Sequence, residues 1–433
     1  MKKNIITTLL AISLLLLPTY TYAARTWSSG AELGSVTDKV EWNISDTGVA
    51  FSVSTAPKRS GNYSLRVNSL DSSVRARATS QHDITTGGPY FVRVYFRVAT
   101  LPSAANTIIT LSNSSSIFTS RGYIKIDNNG TLSLFDEDGQ IGFNSSVLSI
   151  NTWYRIEVKV DVSGAAGSHV VEAKVNDTVF ATASNRNIAV TDLDRFNIGG
   201  NLGAEAQTVG DWFFDDMAIN DSTGSAQTGY PGEGKIVHMQ PDAAGDSNGC
   251  LAGDYTSVNE VTPDDGTTIC VLDAVNDILD VNVESSANAG IGASDTITLV
   301  QVGVREAAAS DLAETWNARL KSASGGTVSS GTSEIDSTTT YKTNNGATRP
   351  GVNTLTSYTD QTTGVAWTPT GTNSLDNMQI GITATDADPD VNVSTLWALV
   401  EYVEIPTPIS APPTTAGLRF FGGLRFFGGL IFR

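Results

Sequence analysis

Cysteine, histidine and charge are all scarce in this chain. Two cysteines and three histidines among 433 residues exclude a disulfide-dense scaffold and a Cys- or His-rich metal centre. Basic residues are outnumbered 27 to 45, for a net charge of −18, which excludes nucleic acid and anionic lipid as partners of the body. Beyond the first residues no apolar run approaches the ~20 residues that span a bilayer. Charged residues make up only 17%, while Gly, Ser, Thr, Asn and Asp abound. That is the composition of a turn-rich, β-rich extracellular protein rather than a helical enzyme.

The chain opens Met1-Lys2-Lys3, runs apolar from Ile5 to Leu17, breaks at Pro18 and reaches Thr21-Tyr22-Ala23. A basic start, a short apolar stretch and small exit residues form a secretory signal peptide over 1–24, cleaved after Ala23 or Ala24. The protein is therefore expected to be secreted or on the cell surface. The remainder is long enough for two domains. In an oxidising compartment Cys250 and Cys270 are expected to form one disulfide.

Residues 25–221 read as strand after strand. Phe91 to Val98 alternates apolar and polar side chains, as a half-buried strand does. Tyr123-Ile124-Lys125-Ile126 and Leu132-Ser133-Leu134-Phe135 flank an Asn128-Asn129-Gly130 turn. Trp153 to Val160 and Val170 to Val175 form another pair. Residues 222–233 read as a Gly/Ser/Thr-rich linker. Residues 234–404 are again β-like, with Ile297 to Val304 and Leu396 to Val403 the clearest strands. The expected fold class is all-β, a sandwich followed by a second sandwich.

Particular residues carry a resemblance. Gly30-Ala31-Glu32-Leu33-Gly34, Ser54 to Pro57 with Ser60 to Val67, Trp153 to Val158, and Trp212-Phe213-Phe214-Asp215-Asp216-Met217-Ala218-Ile219 are similar to the concanavalin A/laminin-G-like jelly rolls, over nearly all of 25–221. Tyr230 to Val237, Val261 to Gly266, Thr363 to Thr368 and the Trp397 strand resemble a β-sandwich module of phage virion and tail-associated proteins. The export signal and the disulfide depart from a virion pattern, because virion parts assemble in the cytoplasm. At the end, 405–416 reads as a stiff Pro-rich spacer. It leads into a tail, 417–433, that repeats Gly-Leu-Arg-Phe-Phe-Gly. Arg419, Phe420, Phe421, Arg425, Phe426 and Phe427 are its anchoring candidates, for an envelope or a protein partner.

Chemistry has few places to reside. His82, His169 and His238 lack a nucleophile beside them, and His169, next to a hairpin turn, is expected to be exposed. A glycoside hydrolase would set two carboxylates across a cleft. Glu157 and Asp161 lie on the outward side of a strand and Asp136 to Gly139 reads as a turn, so no paired signature emerges. The jelly-roll resemblance implies a structural calcium held by Glu32 and Asp215 or Asp216, with carbonyls near Ser60 and Gly61. Sugar recognition would use aromatic platforms, for which Trp27, Trp42, Tyr90, Tyr123 and Trp212 are the candidates. The expectation is a non-enzymatic surface protein that binds carbohydrate or another surface ligand, with homo-oligomers open. Two alternatives stand beside it: an assembly component of a virion-like particle or appendage, and a polysaccharide-degrading enzyme.

Overall fold

Side chains alternate in and out along nearly every strand, and that alternation builds two packed sandwiches in a computed structural model. It describes residues 25–36, 42–44, 51–69, 76–81, 88–112, 120–188, 195–200, 202, 209–222, 224–309, 314–331, 334–336, 340–344, 355–386 and 391–406. Residues 1–24, expected to be a signal peptide, His82 and the tail with Arg419, Phe420, Phe421, Arg425, Phe426 and Phe427 lie outside the described residues.

The first sandwich has two antiparallel sheets. Sheet A runs in the order Thr178–Arg186, His169–Val175, Trp153–Asp161, Tyr90–Thr100, Gly210–Asn220, Ser64–Ser69 and Phe51–Ser54, with Arg25–Ser29 also paired to Gly210–Asn220. Sheet B runs Gly139–Ile141, Leu132–Asp136, Ser120–Ile126, Asn106–Ser112, Arg195–Gly200, Ala76–Gln81 and Asn43–Ile44. Strands distant in sequence are neighbours in both sheets, as jelly-roll-like sandwiches require. Between the sheets lies one apolar core, with Val94, Phe96, Ile156, Val158, Trp212 and Phe214 from sheet A against Ile109, Leu111, Ile124, Leu134 and Phe196 from sheet B.

The second sandwich repeats the plan. Sheet C is built on the long pair Thr296–Ala308 and Val391–Val403, flanked by Lys235–Met239. Sheet D runs Pro241–Asn248, Ile278–Val283, Gln379–Ala384 and Glu314–Lys321. Val237, Val300, Val302, Trp316, Ile380 and Ile382 fill its core. The expected disulfide is present between Cys250 and Cys270, tying the loop after the Pro241–Asn248 strand to Cys270–Leu272, which pairs with Val391–Val403. No helix among the described residues is long and apolar enough to cross a membrane.

A third small core joins the two sandwiches: Leu33 packs with Ile236, Leu299, Trp397 and Leu399. Charges seal its border. The Glu401 carboxylate lies 2.9 Å from Arg25 and 2.5 Å from Arg93, all three essentially buried, and accepts from the Thr298 hydroxyl. The segment expected as a linker is itself packed down. The Tyr230 ring meets Phe91 edge-on and lies beneath Lys174, and its hydroxyl donates to Glu172. Gly232 N–H donates to Glu157, and Glu233 pairs with Arg59 and Arg155.

Candidate functional site

Once the sandwiches have formed, few sheet faces remain for a ligand. The outer face of sheet A is largely spent. Arg93, Arg155, Glu157 and Glu172 project there and are covered by 227–233 and the second sandwich. Glu157 is thus an outward-facing side chain, as its strand phase predicts, yet it is buried beneath the linker instead of being solvated.

The outer face of sheet B differs. Cross-strand register places Phe135, Tyr123, Thr110 and Asn197 side by side in one row over four neighbouring strands. Their strand neighbours Leu134, Ile124, Leu111 and Ile198 point the other way, into the core. Tyr123 and Phe135, both half-buried, stack with ring centroids 5.1 Å apart and planes 12° apart, the offset arrangement that aromatic quadrupoles favour. Lys125, two residues on, sets its ammonium 4.5 Å from the Phe135 ring. Asn197 donates 3.0 Å to the Ser112 hydroxyl. The Thr110 hydroxyl is buried with no hydrogen-bond partner. Arg121, on the same strand face as Tyr123, donates through Nη1 to both carboxylate oxygens of Glu137.

Of the five aromatics proposed as sugar platforms, only Tyr123 is on this face. Trp27, Trp42, Tyr90 and Trp212 belong to the core and are at most 2% exposed, so their assignment as ligand platforms is corrected. The reason is phase. Trp212 and Phe214 share the inward side of their strand, and Trp212 Nε1–H is satisfied by the Gly199 carbonyl. Gly210 leaves room for its ring, because a Cβ there would lie 2.1 Å from it. Trp27 meets Trp42 edge-on at 4.6 Å, and Trp42 donates to Ser29. The sequence reading missed Phe135, although its alternation with Leu134 already put it beside Tyr123 across the Asn-Gly turn. It also missed Phe143, 85% exposed on the loop that leaves the sheet-B edge strand. Gly142 and Asn144 flank that phenylalanine in a turn-like run, which is the signal that could have found it.

The acidic trio does converge. A bulge in the Gly210–Asn220 strand, where pairing skips from Asp215 to Ala218, and a positive φ of 47° at Asp216 bury both aspartates. Asp216 accepts from Ile236 N–H and from the Arg59 guanidinium, as well as from the Ser60 hydroxyl. Asp215 accepts from the amides of Arg59 and Asp216. Glu32 accepts from Asn62 and Tyr63 and presses on Gly61, where a Cβ would clash with its carboxylate. Burial first, then the neighbouring charges of Asp216 and Glu32, push the Asp215 carboxyl well above its usual range. No grouping of His, Cys, Asp and Glu among the described residues is arranged to hold a metal ion. Backbone amides and one arginine already engage these oxygens.

Nucleophilic chemistry finds little support. His169 is buried, not exposed: Ile188 N–H donates to its Nδ1 and its Nε2–H reaches the Gly164 carbonyl, so it pins a turn. Gly245-Asp246-Ser247-Asn248-Gly249 has G-x-S-x-G spacing, which the sequence reading overlooked. It forms the end of an antiparallel strand rather than a strand-to-helix elbow, and Asp246 is committed to Lys321, Ser324 and Gly325.

No family model matches the chain, and no curated protein matches it. Among solved structures, the chain is similar to an endo-β-1,4-glucuronan lyase from the fungus Trichoderma reesei, at 12% identity and a TM-score of 0.35 over 45% of this chain and 95% of that one. It is also similar to the cellulose-induced protein Cip1, at 18% identity and a TM-score of 0.35 over 44% and 95%. A third is a Trypanosoma rangeli sialidase, at 10% identity and a TM-score of 0.30 over 39% and 27%.

Proposed function

We propose that the chain is a non-catalytic, exported carbohydrate-binding protein whose ligand lies on the outer face of sheet B. The carrying observation is the stacked, half-buried Tyr123–Phe135 pair with the Lys125 ammonium beside it. Rings present apolar faces to the C–H side of a pyranose, while a polar group beside them, here the Lys125 ammonium, meets its hydroxyls. The mechanism is recognition without turnover. The experiment is affinity electrophoresis through a panel of soluble polysaccharides, with reducing-end release assayed on the same panel. Retardation by at least one glycan, relieved in Tyr123→Ala and Phe135→Ala, supports the reading. Equal mobility in all gels refutes it, and release of reducing ends would make the protein an enzyme.

One further point belongs to this proposal. The tail, residues 417–433, would retain the exported protein at an envelope or partner. Deleting it should shift protein from the cell surface to the medium, and unchanged partition would end that idea.

A further inference from the structure

Among the described residues, one row on the outer face of sheet A makes no hydrogen bond or ion pair with the linker or the second sandwich. Cross-strand register sets Trp153, Arg97, Phe213, Arg66 and Ser52 side by side over five neighbouring strands. Their neighbours along the strands, Phe96, Val98, Trp212, Phe214 and Leu65 among them, point into the core, so the row faces outward. The next row toward the junction holds Arg155 and Tyr95. Glu233 reaches Arg155 there, and Arg59 lies over the Tyr95 ring. With strands about 4.8 Å apart, the open row runs for about 19 Å. It shares no residue with the sheet-B row.

At its middle the Phe213 ring is 3% exposed beneath two guanidinium groups, Arg66 at 5.5 Å and Arg97 at 5.7 Å from its centroid. The two arginines differ in what holds them. Arg66 is bidentate to Asp211, with Nε and Nη2 each 2.9 Å from a carboxylate oxygen. Arg97 is half-buried, and its side chain has neither an ion pair nor a hydrogen bond among the described residues. Its guanidinium nitrogens reach solvent. Arg93 and Arg155, on the same sheet face, are matched by Glu401 and Glu157. Acidic residues outnumber basic ones 45 to 27, so the chain does not lack carboxylates with which to match Arg97. Covering Phe213 needs only its alkyl stem, which leaves the planar fork unspent. Directly across from it stands Trp153, also half-buried, at the side-chain spacing of a cross-strand pair.

We infer that Trp153 and Arg97 form a binding site for an acidic sugar, a pyranose ring that bears a carboxylate. The guanidinium fork takes the carboxylate as a bidentate pair, and the indole takes the C–H face of the ring. A long polyanion is disfavoured, because the net charge of −18 repels it; a short acidic sugar meets one local cation. The choice of a sugar rests on the reading of the chain as carbohydrate-binding, whereas the anionic preference rests on Arg97 alone.

Calorimetry on the full chain at pH 7 tests this, with digalacturonate as probe and two counterparts. Its methyl ester keeps the rings and loses the charge, and acetate keeps the charge and loses the ring. Digalacturonate is expected to bind about tenfold or more tighter than either. Arg97→Gln should erase the preference for acid over ester, and Trp153→Ala should weaken acid binding by up to about tenfold. The acid–ester comparison on the unaltered protein needs no variant to fold, and melting temperatures report whether the variants do. The acid preference should survive Tyr123→Ala, so a failure of the sheet-B site and a failure of this one are told apart. Equal affinity for acid and ester, acetate bound as tightly as digalacturonate, or no binding of digalacturonate overturns the inference. So does an acid preference kept in Arg97→Gln, or full affinity in Trp153→Ala.

Discussion

At the junction between the sandwiches, Glu401 is gripped by Arg25 and Arg93 and by the Thr298 hydroxyl. On the outer face of sheet B, the Tyr123 and Phe135 rings stack on each other half-buried, beside the Lys125 ammonium. Both places lie on the outer face of a sheet, and they differ in what covers them. Charges packed into a closed interface fix how two bodies meet. A half-exposed aromatic pair leaves apolar ring surface in water, which a ligand that covers it would bury.

The sharpest way to break the comparison is at Glu401. Glu401→Ala would leave two guanidinium groups buried together, a loss of about 3–5 kcal/mol, read by chemical denaturation. A change below 1 kcal/mol would mean the junction is not closed in solution. Opening the Cys250–Cys270 disulfide, which spans 20 residues of sequence, should cost about 3 kcal/mol by the chain-entropy estimate, checked with the double Cys→Ser variant. The bridge belongs to the second sandwich, where Cys270–Leu272 pairs with Val391–Val403, whereas the sheet-B row belongs to the first. Glycan binding should therefore survive its loss.

Acid acts on the junction through two groups with the same sign. Burial alone would raise the Glu401 carboxyl, but Arg25 and Arg93 outweigh it and hold it at about 2, below the ordinary 4.5. A carboxylate depressed in the native state adds stability above pH 4.5 that is lost as pH falls through about 2. His238, pushed by burial from 6.5 to about 3, resists protonation in the fold while the unfolded chain takes up a proton, so stability also declines as pH falls from 6.5 toward 3. Asp215, raised by burial and by Asp216 and Glu32, works the other way and gains stability on acidification. Denaturation midpoints between pH 7 and 4 should therefore slope less in His238→Phe than in the parent. An identical slope would place His238 in solvent.

The architecture was legible because strand phase is a local property. The Phe91 to Val98 alternation, the Asn128-Asn129-Gly130 hairpin and the close cysteine pair each needed only neighbours in sequence. The convergence of Glu32, Asp215 and Asp216 came from the jelly-roll resemblance rather than from spacing. What escaped was everything decided by the second layer. Trp27 and Trp212 read equally well as core or platform until the opposing sheet was known. Glu157 has the phase of a solvated residue, and only the return of 230–233 across sheet A buries it. His238 carried no motif at all, because its burial comes from Trp397 on a strand distant in sequence.

The smallest effect tests the recognition side of the comparison. Tyr123→Ala removes one half-buried ring whose neighbours across the sheet, Phe135 and Thr110, remain. Global stability should move little, because the ring lies outside the core. Loss of the stacking partner for a sugar, worth about 0.5–1.5 kcal/mol, should weaken glycan binding by up to about tenfold. Tyr123→Phe keeps the ring and should keep most of that affinity, which ties the effect to stacking and not to the hydroxyl. If instead Tyr123→Ala unfolds the protein as strongly as Glu401→Ala, the outer face of sheet B is a structural interface as closed as the junction. The contrast between a covered and a half-exposed sheet face would then no longer mark a binding face.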